Sequence, residues 1–376
     1  MATTVRTANC KRLISAFAGA VSILFMMGAA PLKAQSDSLA EWKATLAAAK
    51  GQPLKLLLQP DPGFEEVVKV FKAKFPFINV QATISHPSDA APRIITEQKN
   101  GLYSWDAWWA TAANMNGIVY PAGGLDRITD YLVLPDVKSP ATWRAPDFIF
   151  PAPDRPYIFI HTHYLQNLGI YNASLVPGGK LTLENLLDPS LKKKISIRSP
   201  SRPHGGTMML AAVAKVRGLD YVKKILAEME PIYIDNDRQN TLSAFKGGSA
   251  VALGTSDEVY FECLKEGGCA QIKPFPAYFM HSRGVSVLKN APNKAATKVF
   301  VNWLLSKEGQ ETYVREWAKT ASTGAFSMRK DVASDPKHKG SEPDFSNLRQ
   351  YVAVSLDSGV AELRQIIKLY DEVRRK

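Results

Sequence analysis

The stretch that decides the fold is GVSVLKNAPNKAATKVFVNWLLSKEGQ, residues 284–310. Its alternating apolar residues predict a strand over Gly284–Leu288, and a Lys-Asn-Ala-Pro-Asn turn follows. Apolar residues at helical spacing then predict a helix over Lys294–Leu305. Since this pair comes late in the chain, we expect it to return the chain to a sheet begun much earlier.

The first part of the chain supplies that sheet. Apolar runs predict strands, and helical spacing predicts helices, in the alternating order 55–58, 64–75, 79–85, 91–99 and 106–109. Such alternation is typical of an α/β fold with a mostly parallel sheet flanked by helices. Ligands bind such sheets at the carboxyl ends of the strands, so the loops that start at Gln59 and Ala110 are candidates for a binding face.

The beginning of the chain resembles an export signal. Arg6, Lys11 and Arg12 precede an apolar run over residues 13–30, and Ala34 offers a small residue for cleavage. A membrane-spanning helix is the alternative, but Gly19 and Gly28 interrupt the run and polar residues follow it directly. We therefore predict that residues 1–34 form a signal peptide and that the mature protein is exported.

The remaining length predicts two lobes, because it exceeds what one compact core holds. A proline-rich stretch over 140–156 separates the first sheet from further predicted strands at 194–197 and 250–253. We predict lobe 1 at 35–157 plus 283–318, lobe 2 at 158–282, and a C-terminal helical segment at 319–376. Strands between the lobes would form the hinge.

The net charge of the full chain is +12, which is basic without a dense basic patch. The only tight basic runs are residues 192–194 and 374–376. A nucleic-acid-binding protein concentrates its charge on one face, so we do not expect nucleic acid as a partner. A mild preference for anionic ligands is compatible with the charge.

The quoted stretch resembles the return strand, turn and helix of periplasmic solute-binding proteins of the ferric-iron and polyamine type. Shorter matches occur in the expected order at GGLDRI (123–128), IYN (170–172), LLDPSLK (186–192) and RKDV (329–332). The resemblance implies a two-lobed type II periplasmic-binding-protein fold that closes on a small-molecule ligand. It also implies a periplasmic location and an ABC permease in the inner membrane as the partner. We expect a monomer without a cofactor.

Three loops could hold the ligand. The first is Ser201, Arg202, His204, Gly205, Gly206 and Thr207, where a helix start and glycines would let an anion approach backbone N–H groups. This loop could equally be an ordinary capped helix. Thr111 and Ala112 match the small-residue ligand loop of the family. Asp61 is a third candidate, although it could simply cap the first helix.

A further loop contains Asp257, Glu258 and Tyr260. The ferric-binding members of the family place adjacent tyrosines near this position, but here Phe261 follows Tyr260, so bare ferric iron is disfavoured and no metal ligands are predicted. Asp257 and Glu258 could meet a cationic amine or a metal, or they could form an ordinary solvated helix start. His161 and His163 have a spacing compatible with metal ligation on one strand face, yet buried structural histidines explain them better.

The two cysteines that survive signal cleavage are Cys263 and Cys269. An exported protein meets oxidising conditions, and two glycines between the cysteines make a short loop feasible, so we predict a disulfide. Two sulfurs without a nearby histidine make only half of a zinc site.

The sequence contains no nucleophile turn, zinc-protease helix or phosphate loop, so we predict no enzymatic activity. The predicted function is capture of a small polar solute, an organic anion being the first choice, for import by an ABC transporter. A ferric ion with a synergistic anion or in a chelate, and a polyamine, are the alternative cargoes. An exported enzyme of unrecognised type is the alternative function.

Overall fold

The computed structural model describes residues 37–320, 324–338 and 340–375. The predicted signal peptide, residues 1–34, lies entirely outside these ranges, so it stays a prediction. Two separate sheets organise the described chain. The helices that cover them are α1 (37–48), α2 (Pro62–Lys74), α3 (Pro87–Lys99), α4 (Ala112–Asn114), α5 (Pro135–Lys138), α6 (Gly205–Arg217), α7 (Leu219–Glu228), α8 (Asp237–Phe245), α9 (Asp257–Glu266), α10 (Lys294–Leu305), α11 (Lys307–Thr320) and α12 (Asp357–Arg374).

The first sheet has strand order β12-β5-β11-β3-β1-β2, and β4 and β13 also pair with β11. Its strands are β1 (Pro53–Leu58), β2 (Asn79–Ile84), β3 (Ala107–Thr111), β4 (Leu125–Asp126), β5 (Ile158–Gln166), β11 (Phe279–Leu288), β12 (Phe326–Ser327) and β13 (Val352–Ala353). The strands β1, β2 and β3 run parallel, whereas β11 runs antiparallel to both β3 and β5. The late strand β11 therefore joins the sheet that the first part of the chain began, as predicted.

Both faces of the first sheet are apolar. Alternation along β3 sends the buried Trp109 into a core with Phe64 and Phe300, and sends the buried Trp108 into a second cluster with Met115 and Ile160. A sheet covered by helices on both faces needs such continuous apolar strands.

The Asp106 side chain holds the Asn-Ala-Pro-Asn turn before α10 in place. Its buried carboxylate accepts hydrogen bonds from the Asn293 backbone N–H at 2.7 Å, the Asn293 side-chain amide at 3.0 Å and the Lys55 N–H at 2.8 Å. Asn290 in the same turn has a left-handed backbone with φ 54°, a conformation that asparagine tolerates better than most residues. The turn is thus tied to β1 and to the residue before β3.

The second sheet has strand order β10-β6-β9-β7-β8. Its strands are β6 (Gly169–Asn172), β7 (Ile195–Ile197), β8 (Ile232–Tyr233), β9 (Val251–Leu253) and β10 (Ile272–Pro274). Its core combines strand residues with side chains of α6, α7 and α12, including Leu210, Ile225 and Ile366. The C-terminal helix α12 therefore packs on the second sheet, although β12 and β13 before it belong to the first.

The two sheets are joined by crossovers from β5 to β6 and from β10 to β11. The crossovers contact each other: the Phe275 N–H donates to the Gly169 carbonyl at 2.9 Å, and the Asn167 side-chain amide donates to the Phe275 carbonyl. A Cβ at Gly169 would lie 2.9 Å from the Phe275 Cβ, so this approach needs glycine. Strand β5, which the sequence analysis assigned to lobe 2, pairs within the first sheet. The exact division into lobes stays a prediction.

Candidate ligand-binding site

Gln59 organises the first-sheet side of the site, at the carboxyl end of β1. Its side-chain carbonyl accepts from the Thr111 N–H at 3.0 Å and from the Arg283 Nη1 at 2.9 Å. One amide thus joins the ends of β1 and β3 to β11. Asp61, two residues further on, caps α2 by accepting from the Gly63 N–H at 3.0 Å. Asp61 therefore caps a helix, as one of the two alternatives predicted, and it also lies near the carboxyl ends of the strands.

Arg283 is the central charge of this region, and its side chain is only 6% exposed. The guanidinium carbon lies 4.8 Å from the ring centroid of Trp317, 5.2 Å from that of Tyr164 and 5.6 Å from that of Phe64. Its Nη2 lies 3.8 Å from an Asp61 carboxylate oxygen, and its buried Nε has no hydrogen-bond partner among the described residues. Aromatic faces and one carboxylate therefore stabilise a buried cation.

The charges of this pair affect each other. Burial raises the pKa of Asp61, and the nearby guanidinium opposes that rise. Burial alone would lower the pKa of Arg283, but the neighbouring Tyr164, Tyr313 and Asp61 outweigh it and raise the pKa. Arg283 is therefore charged, and it balances the charge of Asp61.

Gln166 connects this region to the second sheet. It lies two residues after Tyr164 on β5, so both side chains project from the same side of the strand. The Gln166 amide donates to an Asp257 carboxylate oxygen at 2.7 Å, and Asp257 begins α9 beyond the second sheet. Burial is the main cause that raises the pKa of Asp257, and Gln166 opposes it. Strand β5 thus carries both Tyr164, which contacts the Arg283–Asp61 pair, and Gln166, which holds Asp257.

The loop before α6 supplies positive charge from the second lobe. Arg202 is exposed and forms no ion pair with any residue in the described ranges, whereas Arg198 lies 3.4 Å from the Asp237 carboxylate. His204 is half-buried, and its buried Nδ1 has no described partner. Burial, with the charges of Arg198 and Arg202, lowers the pKa of His204, so its ring is neutral at neutral pH. The three side chains are therefore neighbours at the start of α6.

The glycines at the start of α6 have a structural reason that the sequence analysis did not include. A Cβ at Gly206 would lie 2.0 Å from the Arg198 carbonyl oxygen, and a Cβ at Gly205 would lie 3.0 Å from the Gly254 Cα. Gly254 itself has φ 83°. The glycines allow α6 to approach the ends of β7 and β9, whether or not a ligand also approaches them.

The other candidate residues from the sequence analysis differ in how far they are buried. Thr207 is buried and donates from Oγ1 to the Arg202 carbonyl at 2.5 Å, while Ser201 is exposed. Thr111 is partly exposed at the end of β3, and the side chain of Ala112 is buried in the core. Glu258 is exposed beside Asp257. The hydroxyl of Tyr260 lies 3.5 Å from the Ile272 carbonyl, within a small apolar cluster.

Cys263 and Cys269 are free thiols in the structure and lie within hydrogen-bond reach of each other, so the disulfide between them stays a prediction. Cys263 lies in α9, Gly267 ends that helix in a left-handed conformation, and Cys269 is buried beside Ile170 and Ile272. Burial, together with a hydrogen bond to Cys263, raises the pKa of Cys269 to about 11. The thiolate that oxidation requires is therefore scarce at neutral pH.

The two histidines of β5 are structural. The Trp109 indole N–H donates to His161 Nε2 at 2.9 Å, and His163 Nδ1 lies 2.9 Å from the Ser282 hydroxyl. Burial lowers the pKa of each to about 3, so both rings are neutral. Within the part of the chain that the structure describes, no group of three or more His, Cys, Asp or Glu side chains could hold a metal ion.

Sequence reasoning missed Arg283, Tyr164 and Gln166, and it gave Gln59 only as the start of a candidate loop. The one available signal was an arginine next to the apolar return strand, because a charge in a buried strand requires partners. Those partners are far away in sequence: Gln59 and Arg283 are separated by 224 positions. Strand pairing, which the sequence pattern does not reveal, brings them together.

Known structures share this fold. The iron-bound HitA of Pseudomonas aeruginosa is 20% identical with a TM-score of 0.56, covering 85% of this chain and 99% of HitA. The Trichodesmium IdiA (FutA) protein, in complex with iron and citrate, is 18% identical with a TM-score of 0.62, covering 86% and 100%. AfuA of Actinobacillus pleuropneumoniae, with fructose-6-phosphate bound, is 20% identical with a TM-score of 0.56, covering 86% and 99%. These likenesses confirm the predicted type II fold.

Sequence comparison gives the family. An uncharacterized protein of Haemophilus influenzae is 28% identical over 131 residues, which span 34% of this chain and 38% of that relative. No helix among the described residues is long and apolar enough to cross a membrane. The family model for bacterial extracellular solute-binding proteins matches residues 66–343, which supports a periplasmic location and confirms the predicted function as a substrate-binding protein. The chain belongs to the bacterial extracellular solute-binding protein family.

Proposed function

We propose that this receptor binds a small polar solute with an acidic group between its two lobes and delivers it to an ABC permease. The observation that carries the proposal is the unpaired charge of Arg202 beside the start of α6. A helix start adds N–H groups without helical acceptors and a partial positive charge, which favour an anion. The half-buried His204 adds a ring nitrogen that has no described partner.

The opposite wall of the site suits closure on such a solute. The ends of β1 and β3 present Asp61 and Thr111, held in place by Gln59 and Arg283. The crossovers at Gly169 and Phe275 allow the lobes to move as rigid units around a short hinge. A ligand that contacts both lobes would shift the population toward the closed form.

A ferric chelate is the second candidate cargo. The observation that favours it is the set of oxygen donors on Asp61, Tyr164 and Asp257, which face one region of the site. The IdiA (FutA) relative in complex with iron and citrate has the same fold. A chelate would supply most of the iron ligands itself, so adjacent tyrosines would not be required.

A calorimetric screen against organic acids, organic phosphates, sugars, polyamines and ferric citrate tests the proposal. We expect an acid to bind and Arg202→Ala to weaken that binding at least tenfold, since a charge-assisted hydrogen bond contributes about 1.5–3 kcal/mol. The matched control is Arg364→Ala, which removes an exposed arginine from α12. Equal affinity in the Arg202→Ala variant and the unmodified protein would contradict the proposal.

A further inference from the structure

Two carboxylates, one from each lobe, are connected to the part of β5 that contains Tyr164. Asp61 lies 3.8 Å from the Arg283 guanidinium, and that guanidinium lies 5.2 Å from the Tyr164 ring centroid. Gln166 follows Tyr164 on the same side of β5 and holds Asp257 at 2.7 Å. Arg283 and Gln166 thus connect both acidic residues to the strand segment around Tyr164.

The two carboxylates differ in their counter-charge. Asp61 has Arg283, whereas Asp257 forms no ion pair within the described ranges and has only the neutral amide of Gln166. Burial raises the pKa of Asp257, and the negative charge of Asp237 raises it further. A partly buried carboxylate without a cation is costly, which means that a positive group brought to it would be strongly favoured.

The Tyr164 hydroxyl is available to a ligand. The residue is 6% exposed, its ring stacks on His281 at 5.5 Å, and its hydroxyl forms no hydrogen bond with any described residue. The hydroxyl oxygen is not among the buried unpaired atoms of the described residues, so it is the accessible part of a largely buried side chain. Burial chiefly raises the pKa of this hydroxyl; the Arg283 charge opposes the rise, and Asp257 and Asp61 add to it. An accessible hydroxyl without a protein partner can donate to a ligand or accept from it.

The charge balance limits the ligand. The charges of Asp61 and Arg283 cancel, and those of Asp237 and Arg198 cancel, which leaves one negative charge at Asp257 and one positive charge at Arg202. A trivalent metal ion would be poorly compensated by a single carboxylate. A primary ammonium group fits better, because its three N–H donors can meet the Asp257 carboxylate and the Tyr164 hydroxyl.

We propose that the solute is a zwitterion whose ammonium group binds between Asp257 and the Tyr164 hydroxyl while its acidic group faces Arg202. This inference rests on the proposed function, since it uses the same site and adds the second charge of the ligand. It names the substrate class as short amino acids of the carboxylic, sulfonic or phosphoric type.

Matched pairs of compounds test the inference. Calorimetry compares taurine with isethionate, β-alanine with 3-hydroxypropionate, and O-phosphoethanolamine with 2-hydroxyethyl phosphate, where each pair differs only in an ammonium against a hydroxyl group. We expect at least one ammonium compound to bind ten- to a hundredfold more tightly than its hydroxyl partner. Asp257→Asn should remove this preference, and the control Glu262→Gln, at an exposed position further along α9, should preserve it.

The possible failures are distinguishable. A hydroxyl compound that binds as tightly as its ammonium partner, with Arg202→Ala still weakening both, would overturn the inference and leave the proposed function intact. Binding of ferric citrate or putrescine with no acid bound would overturn the proposed function and the inference together. If none of the six compounds bound while another acid in the wider screen did, the inference would be overturned and the proposed function would stand. Circular dichroism and melting temperature establish that each variant is folded.

Discussion

The Gln166 side chain donates a hydrogen bond of 2.7 Å to Asp257 and so connects the last residue of β5 to the first residue of α9. The bond runs from the first sheet to a helix of the second lobe. The bond lies beside the hinge. A small rotation of one lobe changes the distance between Gln166 and Asp257 less than it changes distances far from the hinge. We therefore expect it to fix the position of Asp257 in the site.

Replacing Gln166 with leucine tests this expectation. The variant leaves the Asp257 carboxylate without its amide donor, which should raise its pKa further and weaken solute binding about three- to tenfold, the effect of one ordinary hydrogen bond. Isothermal titration calorimetry at neutral pH measures the change. Gln350→Leu, at an exposed glutamine bonded to Asp344, is the matched control. Unchanged affinity in the Gln166 variant would contradict the positioning role.

Arg283→Met should destabilise the protein by about 3 kcal/mol, because it leaves the partly buried Asp61 carboxylate without its counter-charge. Urea unfolding measures the loss. The double variant Arg283→Met with Asp61→Asn should recover part of it, since the uncompensated charge is then absent. If the double variant were no more stable than the single one, the loss would come from aromatic packing rather than from the ion pair.

Gly206→Ala should be destabilising by roughly 1–3 kcal/mol, because its Cβ would lie 2.0 Å from the Arg198 carbonyl oxygen. Thermal unfolding measures the effect. Gly117→Ala is the matched control, since a Cβ there meets nothing within 4 Å and the substitution should be neutral or slightly stabilising. An unchanged melting temperature in the Gly206→Ala variant would show that α6 does not approach the Arg198 carbonyl so closely.

Acid should destabilise the protein through His161, His163 and His281. All three have a pKa lowered to about 3 by burial, so the unfolded chain binds more protons than the folded chain once the pH falls below the ordinary value of 6.5. The free energy of unfolding should then fall by up to about 4.1 kcal/mol for each pH unit below 6.5. Urea titrations between pH 7 and pH 5 measure the slope.

A variant with one of these histidines replaced separates them from other groups. His163→Gln should reduce the pH slope by about one third, since His161 and His281 remain, whereas the exposed His86→Gln should leave it unchanged. The carboxyl groups of Asp61 and Asp257 have the opposite effect on the free energy of unfolding. Their pKa is raised in the folded state, so the folded chain takes up their protons first and acid stabilises it through these groups. An unfolding free energy that stays constant down to pH 5 would contradict the prediction.

The sequence predicted regular elements best where periodicity was strong. Helix α10 spans Lys294–Leu305, as expected from its apolar spacing. Helix α3 begins at Pro87, four residues before the predicted start, because proline is tolerated in the first turn and the pattern gave no apolar residue there. Strand β11 begins at Phe279, five residues early, since the polar residues His281, Ser282 and Arg283 conceal its buried character.

The site was harder to predict than the fold. Arg202, His204 and Asp257 were identified from loops that follow strands, a property that local sequence does express. Arg283 and Tyr164 act through contacts across paired strands, and such contacts depend on register rather than on local pattern. The disulfide between Cys263 and Cys269 stays a prediction, because spacing alone does not decide whether two nearby thiols become oxidised.

The hydrogen bond between Phe275 and Gly169 has a mechanical consequence. Two independent linkers would let the lobes twist, shear and bend separately. Linkers that are hydrogen-bonded to each other move together. Opening and closing of the cleft is then favoured over separate twisting or sliding of the lobes. A permease that senses this single angle could distinguish the loaded receptor from the empty one without touching the solute.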